Sequence, residues 1–170
     1  MYQLTGFNVV LRLSDKAFIQ PAEGNRDWLE YQLWKTGGNT PLPAPLPDLQ
    51  PLYASKLAAI NEACEASITG GFWSAALGER YQYSSQLEDQ LNLNGVVMAG
   101  LDSLYPCRDE QGIKEFRAHT VDQLRQVGSD FTQFKLQLLQ KAAELKQQLD
   151  QALADGDLDA LQSVNWDSEQ

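Results

Sequence analysis

The side chains that could do chemistry in this chain are few. One histidine, His119, and two cysteines, Cys64 and Cys107, are its whole supply of imidazole and thiol. A tetrahedral zinc site wants clustered Cys and His ligands, and these three are isolated from one another in sequence. A Ser/His/Asp triad would have to use His119. That residue stands just before Thr120 with no nucleophile beside it in sequence, whereas a general base needs a partner within hydrogen-bond reach. His119 is therefore expected to pack or to cap. Cys64 falls on the apolar face of a helical stretch, where a free cysteine behaves as a small hydrophobe. Cys107, between Pro106 and Arg108, has neither a helix N-terminus nor a second cysteine to activate it. Asp155, Asp157 and Asp159 have the spacing that opens a calcium loop. Positions six and twelve of such a loop need Gly and Glu, and here they are Ala160 and Trp166. The preferred reading is a charged helix end with Asp157 as an N-cap. Glu62/Glu65 and Glu88/Asp89 fall on helices as solvated pairs. Gly37-Gly38 and Gly70-Gly71 lack the Lys-Ser/Thr of a phosphate loop and read as helix stops. No catalytic, metal-ligating or cofactor-binding residue is assigned, and no cofactor is expected.

Composition points the same way. The chain has 170 residues, is 43% hydrophobic and carries a formal net charge of −10. It is long enough to bury a core and too apolar to be disordered. Such acidity gains nothing from counterion release on nucleic acid and is repelled by anionic membranes, so neither is expected as a partner. Residues 51–170 hold nine Lys/Arg against eighteen Asp/Glu, so the acidity belongs to the C-terminal part. The start, Met1 to Gly6, does not read as a secretory signal, and no apolar run reaches the 18 residues of a membrane span. Two unpaired cysteines suit a reducing compartment.

The elements that must position these residues divide at a proline cluster. Pro41, Pro43, Pro45, Pro47 and Pro51 are five of the seven prolines, and they predict a semi-rigid linker over 39–51. Residues 1–38 read as a small docking piece. Phe7 to Leu13 and Ala17 to Gln20 form a hairpin about Ser14-Asp15-Lys16, and a helix follows from Asn25 to the Gly37-Gly38 stop. Some 38 residues are too few for a core of their own, so this piece is expected to dock elsewhere. Residues 52–170 read as a helical domain with β-hairpins. A helix over 52–68 is followed by a hairpin pairing Phe72 to Ala76 with Arg80 to Tyr83. Ser85 with Glu88 predicts a capping box, and Leu87, Leu91, Asn94, Met98 and Leu101 then recur on one helix face. A second hairpin spans Tyr105 to Ala118, and Thr120 with Gln123 predicts another capping box. From Val121 to Ala154 there is no proline and one glycine, Gly128, which predicts a helix of about 50 Å. Leu124, Phe131, Leu138, Leu145 and Ala152 repeat in heptads along it, and its second half reads as a coiled-coil candidate. The fold class is α+β, mostly α.

Aromatic residues gather in two places: Trp28, Tyr31 and Trp34 on the first helix, and Phe72, Trp73, Tyr81 and Tyr83 on the first C-terminal hairpin. Both are candidate interfaces, the alternative for the hairpin being that it caps the helix pair beside it. Leu138, Leu145 and Leu149 on the long helix complete the candidate set, as contacts to a partner or to a second copy of the chain.

Residues 56–166 resemble a domain family found in phage and prophage tail proteins. The resemblance rests on the A-C-E-A-x-I-x-x-G-F run at 63–72, the Leu77-Gly78 turn before Tyr81, D-Q-x-N-L-x-G at 89–95, and F-R-x-H-T-x-x-Q-L-x-Q-V-G-x-D at 116–130. Residues 25–43 likewise resemble the short leader of small phage tail proteins, in which Asn-Arg-Asp-x-x-x-Tyr-x-x-Trp runs into Gly-Asn-Thr-Pro. Here Leu33-Trp34-Lys35 replaces a more usual alanine-rich stretch. The family has no assigned catalytic residues to carry over. The resemblance implies a non-enzymatic tail component near the tail fibre or baseplate, either a fibre-assembly chaperone or a retained virion subunit. Its place would be the virion tail, or the host cytoplasm during assembly. Two other classes compete: a tail enzyme that degrades the cell envelope, and an acidic regulator that binds a host protein.

Overall fold

In a computed structural model, residues 1–167 are described. The chain divides into two compact units, Met1–Asp48 and Leu49–Gln170. It is α+β and mostly helical, with small antiparallel sheets.

The first unit is a three-stranded antiparallel sheet with one helix. Its strands are β1 (Tyr2–Leu4), β2 (Val10–Arg12) and β3 (Ala17–Ile19), in that order, and its helix is α1 (Arg26–Thr36). The sequence reading had a two-stranded hairpin and missed β1. Residues 7–9 do not extend β2, because the Thr5 hydroxyl donates to the Val9 carbonyl at 2.7 Å and turns the chain between β1 and β2. Asn25 Oδ1 accepts from the amides of Asp27 and Trp28 and so caps α1. The expectation that this piece lacks a core is corrected. Tyr2, Val10, Ile19 and Tyr31 are buried together, with Trp28 and Trp34 packed against them. Aromatic rings make so small a core workable, because each buries a large area: the Tyr2 ring lies 5.1 Å from Tyr31 and 5.0 Å from Trp34. The proline stretch 39–51 is also not a free linker throughout. Leu42 pairs with Gln3 beside β1, donating to the Tyr2 carbonyl and accepting from the Leu4 amide. At the other end, Gln50 and Pro51 already belong to the next helix.

The second unit runs α2 (Gln50–Thr69), β4 (Phe72–Ser74), β5 (Tyr81–Tyr83), α3 (Leu87–Ala99), β6 (Ser103–Arg108), β7 (Lys114–His119), α4 (Val121–Asp155) and α5 (Leu158–Ser163). Pro51 sits in the first turn of α2, where its missing N–H leaves no hydrogen bond unmade. The four strands form one antiparallel sheet in the order β4-β5-β6-β7. The spine is α4, opened by the predicted Thr120/Gln123 capping box and closed at Gly156, whose φ of 67° suits glycine. Its C-terminal half packs antiparallel along α2. The Tyr53 hydroxyl reaches Asp150 at one end, and the Cys64 thiol reaches the Leu138 carbonyl at the other. Its N-terminal half lies against the sheet, with Phe72 5.0 Å from Phe131. Asp157 caps α5 as expected, and Lys56 holds the segment after it by donating to the carbonyls of Gln162 and Val164.

The Ser85/Glu88 capping box is not formed. Asp89 instead accepts from the Gln86 amide, so the helix starts one residue later. Ser85 is buried and serves the end of α2: its hydroxyl donates to the Ile68 carbonyl at 2.6 Å and accepts from the Gly71 amide at 2.9 Å. The last carbonyls of a helix need a partner, and at a buried helix end a serine hydroxyl supplies one.

Candidate functional site

Of the three reactive side chains, His119 and Cys107 lie on the inner face of the four-stranded sheet, while Cys64 is buried on α2. Residues two apart on a strand share a face. Tyr83 on β5, Tyr105 and Cys107 on β6, and Arg117 and His119 on β7 are thereby brought together beneath α4. His119 is 2% exposed. Its Nδ1 lies 2.8 Å from the Arg117 carbonyl, which can only accept, so Nδ1 carries the proton. Its Nε2, 2.8 Å from the Tyr83 hydroxyl, then accepts from it. Burial holds the imidazole pKa below its ordinary value and pushes the Tyr83 phenol well above its own. The Tyr105 phenol, which donates to the Asp89 carbonyl, is pushed up to about 12 for the same reason. The Cys107 thiol is also raised by burial, against the opposing pull of the Arg117 guanidinium.

These groups are held neutral, and both ring nitrogens of His119 are engaged within the chain. A cleft of about 310 Å³ lined by Asp102, Ser103, Ala118, Thr120 and Gln123 reaches His119. In it Asp102 accepts from the Val121 amide and the Ser103 hydroxyl donates to the Leu101 carbonyl. The cluster joins β5 to β7 across the middle of the sheet. Of the aspartates tested as a calcium loop, Asp155 accepts from Gln151 and Asp157 from the Ala160 amide. Among the described residues no group of three or more His, Cys, Asp or Glu is placed to hold a metal ion.

Several of the candidate interface residues lie inside. Tyr31 belongs to the core of the first unit. Phe72, Tyr83, Leu145 and Leu149 are buried in the core of the second, with Leu138 and Tyr81 partly buried against it. As interface residues these are corrected: α2, in the same chain, occupies the seam that the heptads left open for a partner. Trp28 and Trp34 are half-buried on the first unit's core. Trp73 alone of the candidates stays exposed, at 41%, with Arg80 5.3 Å above its ring.

The exposed apolar surface lies elsewhere. On α3 the buried residue is Leu93, with Val96 and Val97 packed on the core. The face carrying Leu87, Leu91 and Met98 is turned outward, Met98 being 87% exposed. Next to it a groove of about 550 Å³ between α2, the start of α3 and α4 is lined by Ile68, Leu87, Leu139 and Ala142. The outer face of the sheet is also apolar and exposed, with Leu104 and Phe116. These residues were absent from the candidate set. Their signal was there, since Leu104/Pro106 and Phe116/Ala118 alternate with the buried positions at period two.

The second unit is thus an α+β domain in which the N-terminal half of α4 covers one face of a small antiparallel sheet and its C-terminal half packs along α2. Residues 50–162 match the family described as Domain of unknown function (DUF4376), and the chain belongs to that family. No curated protein and no solved structure matches the chain.

Proposed function

We propose that the protein is a non-enzymatic bacteriophage tail component that binds the tail fibre or baseplate, as a fibre-assembly chaperone or a retained virion subunit. The observation that carries the interaction reading is the outward face of α3. Leu87, Leu91 and Met98 form an apolar stripe with a groove beside it, and contiguous exposed apolar surface of this kind marks a binding face. The tail assignment rests on the resemblance of residues 56–166 and 25–43. The experiment is co-expression of the chain with the neighbouring fibre protein, wild type against Leu91→Glu/Met98→Glu. The wild type should co-purify with the fibre and the variant should not. A fibre that folds and infects normally without this chain, in virions that lack it, would rule the proposal out. Mass spectrometry of purified virions separates the two versions, because a retained subunit is detected and a departing chaperone is not.

A further inference from the structure

β7 is the free edge of the four-stranded sheet: it pairs with β6 on one side and, among the described residues, with no strand on the other. Its backbone phase follows from the hairpin. The Asp109 amide donates to the Ile113 carbonyl, and hydrogen-bonded and non-hydrogen-bonded pairs alternate along an antiparallel ladder. Cys107↔Glu115 and Tyr105↔Arg117 are therefore hydrogen-bonded pairs, while Pro106, which has no N–H, faces Phe116 in a non-hydrogen-bonded one. Lys114, Phe116 and Ala118 must then direct their N–H and C=O groups away from β6, toward the open edge.

We propose that this edge pairs with the same edge of a second copy of the chain, antiparallel and centred on Phe116, joining two sheets into one of eight strands. Charge selects that register. Side chains that face each other across a ladder must lie on the same face, so the centre of a symmetric pair is Glu115, Phe116 or Arg117. Centring on Glu115 sets glutamate against glutamate, and centring on Arg117 sets arginine against arginine; both are repulsive. Within one copy the Arg117 guanidinium meets Glu115 at 2.9 Å and lies 4.7 Å over the Tyr81 ring of β5. Centring on Phe116 sets Glu115 of each copy opposite Arg117 of the other, twice, in the closely spaced pairs, so that the two intrachain pairs meet with opposite signs adjacent. It also aligns the outward backbone groups of Lys114, Phe116 and Ala118 to bond with their counterparts. On the outer face the two Phe116 rings meet, and the apolar surfaces carrying Leu104 and Phe116 become continuous. A twofold axis uses the same patch on both copies and closes at a dimer. This assembly does not depend on the tail reading.

The test is light scattering on the full chain across a concentration series, with disulfide trapping. The wild type should approach twice its 19.0 kDa chain mass. Glu115→Lys sets lysine against arginine at both pairs and should weaken the dimer about tenfold or more. Phe116→Cys should trap a covalent dimer with diamide, because partners in a hydrogen-bonded pair lie within disulfide reach and the native cysteines are buried. Lys114→Cys should not link to itself, its counterpart being four residues away along the ladder. A wild type that stays at 19.0 kDa at its highest soluble concentration, with no trapping at Phe116→Cys, overturns the proposal and leaves the edge to a strand from a different protein. A dimer that Glu115→Lys leaves intact and Phe116→Cys does not trap also overturns it.

Discussion

His119 shows how far burial can change what a residue type suggests. In sequence it was the one imidazole on which any acid-base reading had to rest. In the fold it accepts from Tyr83 and donates to Arg117, and desolvation favours its neutral form. The sign of the consequence is definite. With the folded pKa below the unfolded value, the unfolded chain takes up the proton first as pH falls. The contribution of this group to stability is complete above about pH 6.5 and is lost on descending through the folded pKa. Urea unfolding from pH 7.5 down to pH 5.5 should show this decline in the wild type, and His119→Asn should flatten it. Equal slopes in the two proteins would mean that His119 is not buried neutral. The prediction for Cys107 follows from the same environment: its thiol should resist a thiol-specific reagent in the native state and react once the chain is denatured.

Helices and strands carry the next set of expectations. Gly95 lies in the interior of α3, exposed, and a methyl group added there would meet nothing within 4 Å. Gly95→Ala should stabilise the protein by about 0.5–1 kcal/mol, read as a rise in the unfolding midpoint. A buried position on α4 and an exposed one on α3 should respond very unequally to substitution. Leu149 on α4 is fully buried in the core of the second unit, so Leu149→Ala should cost about 2–5 kcal/mol. Met98→Glu, on the exposed face of α3, should change stability by less than about 0.5 kcal/mol. That contrast, measured by chemical denaturation, tests whether α3 truly presents its leucine and methionine stripe outward. Element positions were largely legible beforehand, because they depend on contacts a few residues apart. The Thr120/Gln123 box, the Gly156 stop and the Asp157 cap were all read correctly. The Ser85 box failed because a tertiary demand, the orphan carbonyl of Ile68, took the hydroxyl the cap would have used.

At the scale of the molecule, the two units each have a core of their own. The core of Leu49–Gln170 draws on α2, α3, α4, α5 and the four-stranded sheet. A chain beginning at Leu49 should therefore keep a cooperative unfolding transition and its helical circular dichroism; loss of that transition would show that the first unit supports the second. Net charge separates in the same way, and the acidity concentrated beyond residue 50 now falls on a single folded unit.

By itself the sequence determined the α+β class, the long proline-free helix, most caps and stops, and the thinness of the reactive inventory. Those properties depend on residue identity and on spacing within one or two turns. Only the tertiary structure decided which apolar faces are covered. Both faces of α3 are apolar, and periodicity alone does not say that Leu93, Val96 and Val97 meet α4 while Leu87, Leu91 and Met98 meet water. The heptads of α4 called for a partner helix without naming it, and α2 fills that place. Burial is a property of two surfaces, so it is settled only when the chain brings the second one into contact.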